Sequence, residues 1–171
     1  MIGTFLLSDV LVFRKSKFKV IGLALMLGLF FPSVFSTAST ITNLNLEVQE
    51  ATQQKNQAIQ ATIAAKEELA ITSNDTEIKE NLIQDIQTLG ENSDDPQVQK
   101  NAIEHIEAVA EESKDTTVQQ QAVKSLEDLG TNSKNQIVKK DAISALESIK
   151  LDATSKTLIN QVNQSINILK K

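Results

Sequence analysis

The chain of 171 residues has no cysteine, tryptophan or tyrosine, one histidine, two prolines and five glycines. The missing cysteine removes disulfides, thiol nucleophiles, thiolate metal ligands and lipid attachment through Cys. Five glycines leave little scope for a phosphate-cradling loop, and neither G-x-x-x-x-G-K-(S/T) nor G-x-S-x-G occurs. All six phenylalanines and both methionines lie within the first 35 residues, so any later core uses Leu, Ile, Val and Ala alone. Such a composition favours helices, where straight-chain and alanine-rich segments lose little side-chain entropy.

Charge is unevenly spread. Arg14, Lys15, Lys17 and Lys19 cluster near the N-terminus, whereas from Ser39 onward 13 Lys face 21 Asp and Glu, a net of −8. An acidic surface without aromatic stacking platforms argues against DNA or RNA as a partner.

The front segment RKSKFKVIGLALMLGLFFPSVFSTAST joins a basic stretch to an uncharged apolar run, Val20 to Phe35, and then to small polar residues. That is the layout of a secretory signal, with Ser36-Thr37-Ala38 offering cleavage after Ala38 and Val34-Phe35-Ser36 a second site. The same run, left uncleaved, is an anchor slightly short of the roughly 20 residues that span a bilayer. MIGTFLLSDVLVF, ahead of the basic cluster, reads as a second membrane-seeking element or as sequence upstream of the true start. In either export reading the basic cluster stays cytoplasmic and the acidic remainder crosses, to a periplasmic, secreted or membrane-tethered location.

Beyond residue 72 the chain repeats every twenty residues. Units counted from Ser73, Ser93, Ser113 and Ser133 put Ile78, Val98, Val118 and Val138 at the sixth position and Leu82, Ala102, Ala122 and Ala142 at the tenth. Ile83, Ile103, Val123 and Ile143 take the eleventh, Ile86, Ile106, Leu126 and Leu146 the fourteenth, and Leu89, Val109, Leu129 and Ile149 the seventeenth. At about 100° per residue these five positions fill a sector roughly 140° wide, so each unit is one amphipathic helix. Asp75, Asp95, Asp115 and Asn135 stand where N-caps belong, and Pro96 fits the first helical position. Gly90 and Gly130, just past the last apolar residue, suit left-handed C-terminal caps.

One unbroken helix cannot satisfy this pattern, because twenty residues at about 100° each rotate the apolar stripe by roughly 200° per unit. The chain must turn between units, and connections of about five or six residues make neighbours antiparallel. The expected fold is all-α: tandem helical hairpins over 73–171, or a compact up-and-down bundle of the same helices. A fifth unit from Ala153 keeps Leu158, Val162, Ile166 and Leu169 but has Asn163 at the eleventh position, as a capping repeat would. Residues 39–72 read as a helical stalk or degenerate N-terminal cap, with Thr62 and Lys66 at positions that are apolar elsewhere.

The cadence from Asp115-Thr116-Thr117-Val118 through Ala122-Val123 and Leu126 to Leu129-Gly130 resembles HEAT-like α-solenoid repeats over about residues 73–151. Gln99, Gln119 and Lys139 occupy the place of the inner arginine common in such repeats. The resemblance implies a stacked array that presents a surface to another protein.

Groups suited to catalysis are scarce. His105, with Asp85, Ser125 and Ala145 as its equivalents, reads as a partly exposed flank residue, and a lone imidazole makes a poor zinc site. Glu67-Glu68, Asp94-Asp95, Glu111-Glu112 and Glu127-Asp128 read as caps and solvated faces. Asn81, Asn101, Gln121 and Asp141 share the ninth position and form a candidate polar row for binding a peptide or partner helix. The expectation is a non-enzymatic protein-interaction scaffold with no cofactor or metal, whose membrane contact is made through residues 20–35. The alternative is a protein whose amphipathic helices associate with a lipid surface, against which stand its acidic polar faces and lack of Trp or Phe wedges.

Overall fold

Each twenty-residue unit counted from Ser73 folds as a three-residue turn followed by one helix. The computed structural model describes residues 17–171, with side chains from residue 45 onward. It contains helices α1 (Lys17–Thr72), α2 (Thr76–Glu91), α3 (Pro96–Glu112), α4 (Thr116–Asn132), α5 (Gln136–Asp152) and α6 (Lys156–Leu169), and no strand among the described residues. The chain divides after Ala51 into two compact units. The first includes the N-terminal part of α1. The second holds the rest of α1 and the five repeat helices. The signal or anchor reading of residues 1–38 falls ahead of the described side chains. Among the described residues no helix is long and apolar enough to cross a membrane.

The turns are tighter than their expected five or six residues, and the reason is a Ser-x-Asp device. The first residue of the unit, Ser73, Ser93, Ser113 or Ser133, accepts the backbone N–H of the third residue at 3.1–3.2 Å. That third residue, Asp75, Asp95, Asp115 or Asn135, then caps the next helix, accepting Glu77, Gln97, Thr117 or Ile137 N–H at 2.8–2.9 Å. Two side chains two residues apart therefore satisfy backbone groups that a longer loop would leave to water. The last turn has Ala153 and Ser155 in these roles, and Ser155 makes no side-chain cap bond. Gln99 and Gln119 brace the turns by donating to Ser93 O (2.7 Å) and Ser113 O (2.9 Å).

In the second unit each helix packs on its successor and on the helix after that: α2 on α3 and α4, α3 on α4 and α5, α4 on α5 and α6, and α5 on α6. The last turns of α1 follow the same rule. Lys66 pairs with Asp85 on α2 (2.6 Å), and Asn56 donates to Asp95 at the start of α3 (2.5 Å). Neighbours run antiparallel, so alternate helices form two layers, and neither α2 with α5 nor α3 with α6 packs together. The observed arrangement of the second unit is all-helical and up-and-down, a run of antiparallel helical hairpins.

The repeated apolar positions make one continuous core. Val98, Ala102, Ile106, Val118, Ala122, Leu126, Val138, Ala142 and Leu146 are all at most 1% exposed. Asn163 is half-buried where Ile83, Ile103 and Val123 are buried, because no described helix packs beyond α5 and α6 on that side.

The glycines do something other than cap. Gly90 and Gly130 lie inside α2 and α4, buried, and no described residue has positive φ. Each lets two helices approach. A Cβ on Gly90 would stand 2.8 Å from Ala102 Cβ, and one on Gly130 would stand 2.8 Å from Leu169 Cδ2 and 3.0 Å from Ala142 Cβ. The neighbour at Gly90 is a Cβ fixed to a helix, whereas the nearest at Gly130 is the end of a flexible leucine. Gly90→Ala is therefore expected to destabilise by about 1–3 kcal/mol from overpacking, partly offset by about 1 kcal/mol of helix propensity. Urea titration of both variants should rank Gly90→Ala below Gly130→Ala.

Candidate functional site

The side chains with chemical potential gather along the seams between helices two units apart, in a register of about forty residues. Thr76 Oγ1 donates to Asp115 Oδ2 (2.5 Å), as Asn56 does to Asp95. Ser165 Oγ donates to Glu127 (2.5 Å), Ser148 Oγ to Glu111 (2.5 Å) and Gln161 Nε2 to Gln120 O (3.1 Å). Asn132 donates to Glu91 (3.1 Å). These pairs are separated by 37–41 residues. N-cap carboxylates thus work twice, closing a turn and tying it to the turn or helix forty residues before.

The ninth-position row lies on the side of each helix that faces the helix two units earlier. Asn101 and Asp141 belong to one layer, on α3 and α5, and Asn81 and Gln121 to the other, on α2 and α4. Asn81 is exposed; Asn101, Gln121 and Asp141 are half-buried. Gln121 Nε2 donates to Ser125 Oγ one turn on (3.3 Å). Asn101 Oδ1 and Asp141 Oδ2 are buried without a hydrogen-bond partner. Three of the four therefore sit in the seams, and only Asn81 stands free at the surface.

His105 joins two elements of the second unit, α1 and α3. Asn101 Nδ2 donates to His105 Nε2 (3.1 Å), which leaves the proton of a neutral ring on Nδ1, where Glu67 Oε2 of α1 accepts it. His105 and Glu67 side chains are each 21% exposed. The ring is less open than its flank position implied, because the last turns of α1 cover it. Glu67 stands at the fifteenth position of its unit and His105 at the thirteenth two units on, the same relation as Glu127 and Ser165. Sequence reading placed Glu67 among solvated acids. The forty-residue register, extended upstream, is the signal that pairs it with His105. The Glu67–His105–Asn101 chain holds α1 to α3, and its three partners supply no hydroxyl or thiol nucleophile.

A polar cleft of about 540 Å³ opens at one edge of the stack, where the α2–α3 turn lies beside the α4–α5 turn. Glu91, Asp94, Gln99, Asn132 and Lys134 line it. Gln99 links its walls, accepting from Ser133 Oγ (2.8 Å) while holding Ser93 O. Among the described residues no group of three or more His, Asp or Glu stands close enough to hold a metal ion.

Two carboxyls titrate away from their ordinary range, in opposite directions. The Thr76 hydroxyl, with the N–H groups of Thr117 and Val118, holds Asp115 low. Burial, with Glu111 and Glu104 nearby, pushes Glu107 up. The stability Asp115 contributes is present at neutral pH and is lost as pH falls below about 4. Asp115→Ala should cost about 0.5–2 kcal/mol at pH 7, and the difference from wild type should narrow under acid. Glu107 has the opposite sign: its contribution is complete below the ordinary glutamate range, about pH 4, and fades as pH rises through its elevated pKa. Glu107→Gln should therefore raise the melting temperature at pH 7 and leave it unchanged near pH 4, as calorimetry at the two pH values will show.

No protein-family model matches the chain, and no curated protein matches it significantly.

Proposed function

We propose that the protein is a non-enzymatic interaction scaffold, a HEAT-like helical repeat that presents an extended surface to another protein outside the cytoplasmic membrane. One observation carries this reading: the groups that would serve catalysis are spent on ties between helices. His105, Glu127 and the N-cap aspartates Asp95 and Asp115 each bond across a seam of the stack. Two features remain for recognition, the exposed amide of Asn81 beside the end of the stack and the polar cleft around Asp94 and Lys134. Export rests on the basic cluster and apolar run of residues 14–38.

A photoreactive amino acid at Asn81 or at Asp94 of the full-length protein, irradiated in the cells that make it, tests the reading. The expected result is a discrete adduct with one other protein in the envelope or secreted fraction, from at least one position. Normal expression with no adduct from either position would sink the proposal.

A further inference from the structure

The polar cleft between the α2–α3 and α4–α5 turns opens where a repeated tie is missing. On the two seams before it, the fourth residue of one unit donates to the N-cap two units on: Asn56 to Asp95 and Thr76 to Asp115, both at 2.5 Å. At the cleft the fourth residue is Pro96, which has no donor, and the cap is Asn135, which has no carboxylate. The floor is already satisfied. Gln99 donates to Ser93 O and accepts from Ser133 Oγ, and Ser133 also accepts the Asn135 N–H.

The unused capacity lies on the walls, and it differs in sign. On the α2–α3 side, Glu91 Oε1 accepts from Gln87 (2.9 Å) and Asn132 (3.1 Å), which fixes the carboxylate and leaves Oε2 unused. Asp94, on the same wall, is exposed, and its carboxylate bonds to no described group. On the α4–α5 side, Lys134 is exposed and unpaired, and Asn135 Nδ2 makes no bond while its Oδ1 caps α5. No ion pair among the described residues joins Lys134 to Glu91 or Asp94. Whatever fills the cleft must therefore bring a cation to one wall and an acceptor to the other. An extended peptide does both, with one basic side chain and its own main-chain carbonyls. Arginine suits the acidic wall best, because its planar fork offers donors to two carboxylates at once. The net −8 of the chain beyond Ser39 draws basic segments toward it. At about 540 Å³ the cleft falls within the roughly 300–1,000 Å³ of sites that enclose a small ligand.

We propose that this cleft binds an extended segment of the partner through an arginine held by Glu91 and Asp94, with Lys134 and Asn135 donating to its main-chain carbonyls. This binding deepens the scaffold reading and rests on it. An alanine–arginine–alanine tripeptide blocked at both ends, titrated into the isotope-labelled full-length protein in mild detergent, tests it by NMR. The side-chain amide signal of Asn132 is expected to shift and saturate in the millimolar range, and the glutamine counterpart of the peptide should bind at least about tenfold more weakly. Asp94→Asn with Glu91→Gln should weaken the arginine peptide by a similar factor. Pro96→Thr with Asn135→Asp supplies the missing donor and carboxylate and should draw the two turns together. That pair adds a negative charge, so a general attraction for cations would strengthen binding, whereas closing the cleft abolishes it. Circular dichroism shows which variants stay folded, and two separate pairs keep the test decisive if one misfolds. No saturable shift, equal binding of the glutamine peptide, or undiminished binding in either folded pair would overturn the proposal. A protein adduct formed in cells from Asn81 or Asp94, without tripeptide binding, would leave the scaffold reading standing and overturn this one.

Discussion

Leu126→Ala is expected to cost about 2–5 kcal/mol and to lower the midpoint of unfolding for the whole stack. Leu126 is fully buried at the fourteenth position of α4, the helix that packs on α2, α3, α5 and α6 together. Its counterparts Ile86, Ile106 and Leu146 are also 0% exposed, and Ala102, Ala122 and Ala142 run beside them. Alanines carry no side-chain freedom with which to fill the gap, and no aromatic ring lies in this part of the chain to lean into it. The cavity therefore stays open, which puts the cost in the upper part of the range. Urea titration followed by circular dichroism should show a lower midpoint with an unchanged slope.

Position along the stack decides how such a loss is felt. Leu158 is equally buried, yet its helix α6 packs only on α4 and α5. In an array where each element touches near neighbours alone, damage at an end melts that end first. Leu158→Ala serves as the comparison in the same experiment. It should loosen α6, seen as faster hydrogen exchange there, while the main transition moves less than in Leu126→Ala. Equal shifts for both would mean the stack unfolds as a single rigid unit.

Much of this fold was legible as periodicity. Five apolar positions recurring every twenty residues define the helices, and the roughly 200° rotation of the stripe demands the turns. The N-caps at Asp75, Asp95, Asp115 and Asn135 follow from the same alignment, and each makes its bond. What periodicity does not carry is any contact between side chains that are individually ordinary. Ser93 and Ser113 look like loop residues, and only the folded turn buries them, at 5% and 3% exposure, as acceptors for the following aspartate. Gly90 and Gly130 satisfy a capping rule by place but lie one and two residues inside the helix end, where the absence of a Cβ lets a neighbouring alanine or leucine approach. The polar row misleads in a related way. Its recurrence at one position suggests a row open to a partner, yet three of its four members are half-buried in the seams.

Ala122→Phe is the sharpest test of the register. Ala102, Ala122 and Ala142 are all 0% exposed. The contacts a side chain on Gly90 would make with Ala102, and one on Gly130 with Ala142, show that the tenth position meets the eighteenth position of the preceding helix. For Ala122 that residue is Ala110, itself 1% exposed. Two methyl groups facing one another leave no room for a ring, so α3 and α4 must separate or the phenyl must twist out of its rotamer. The expected cost is about 1–3 kcal/mol, read as a lower melting temperature. The chain already contains the control. Leu82 occupies the tenth position of α2 and by the same register meets Ala70 of α1, yet it is only half-buried, because no described helix lies two units before it. Leu82→Phe should therefore be tolerated with little change. If both substitutions proved equally mild, the alanines would not mark close helix approach and the two-layer register would be wrong.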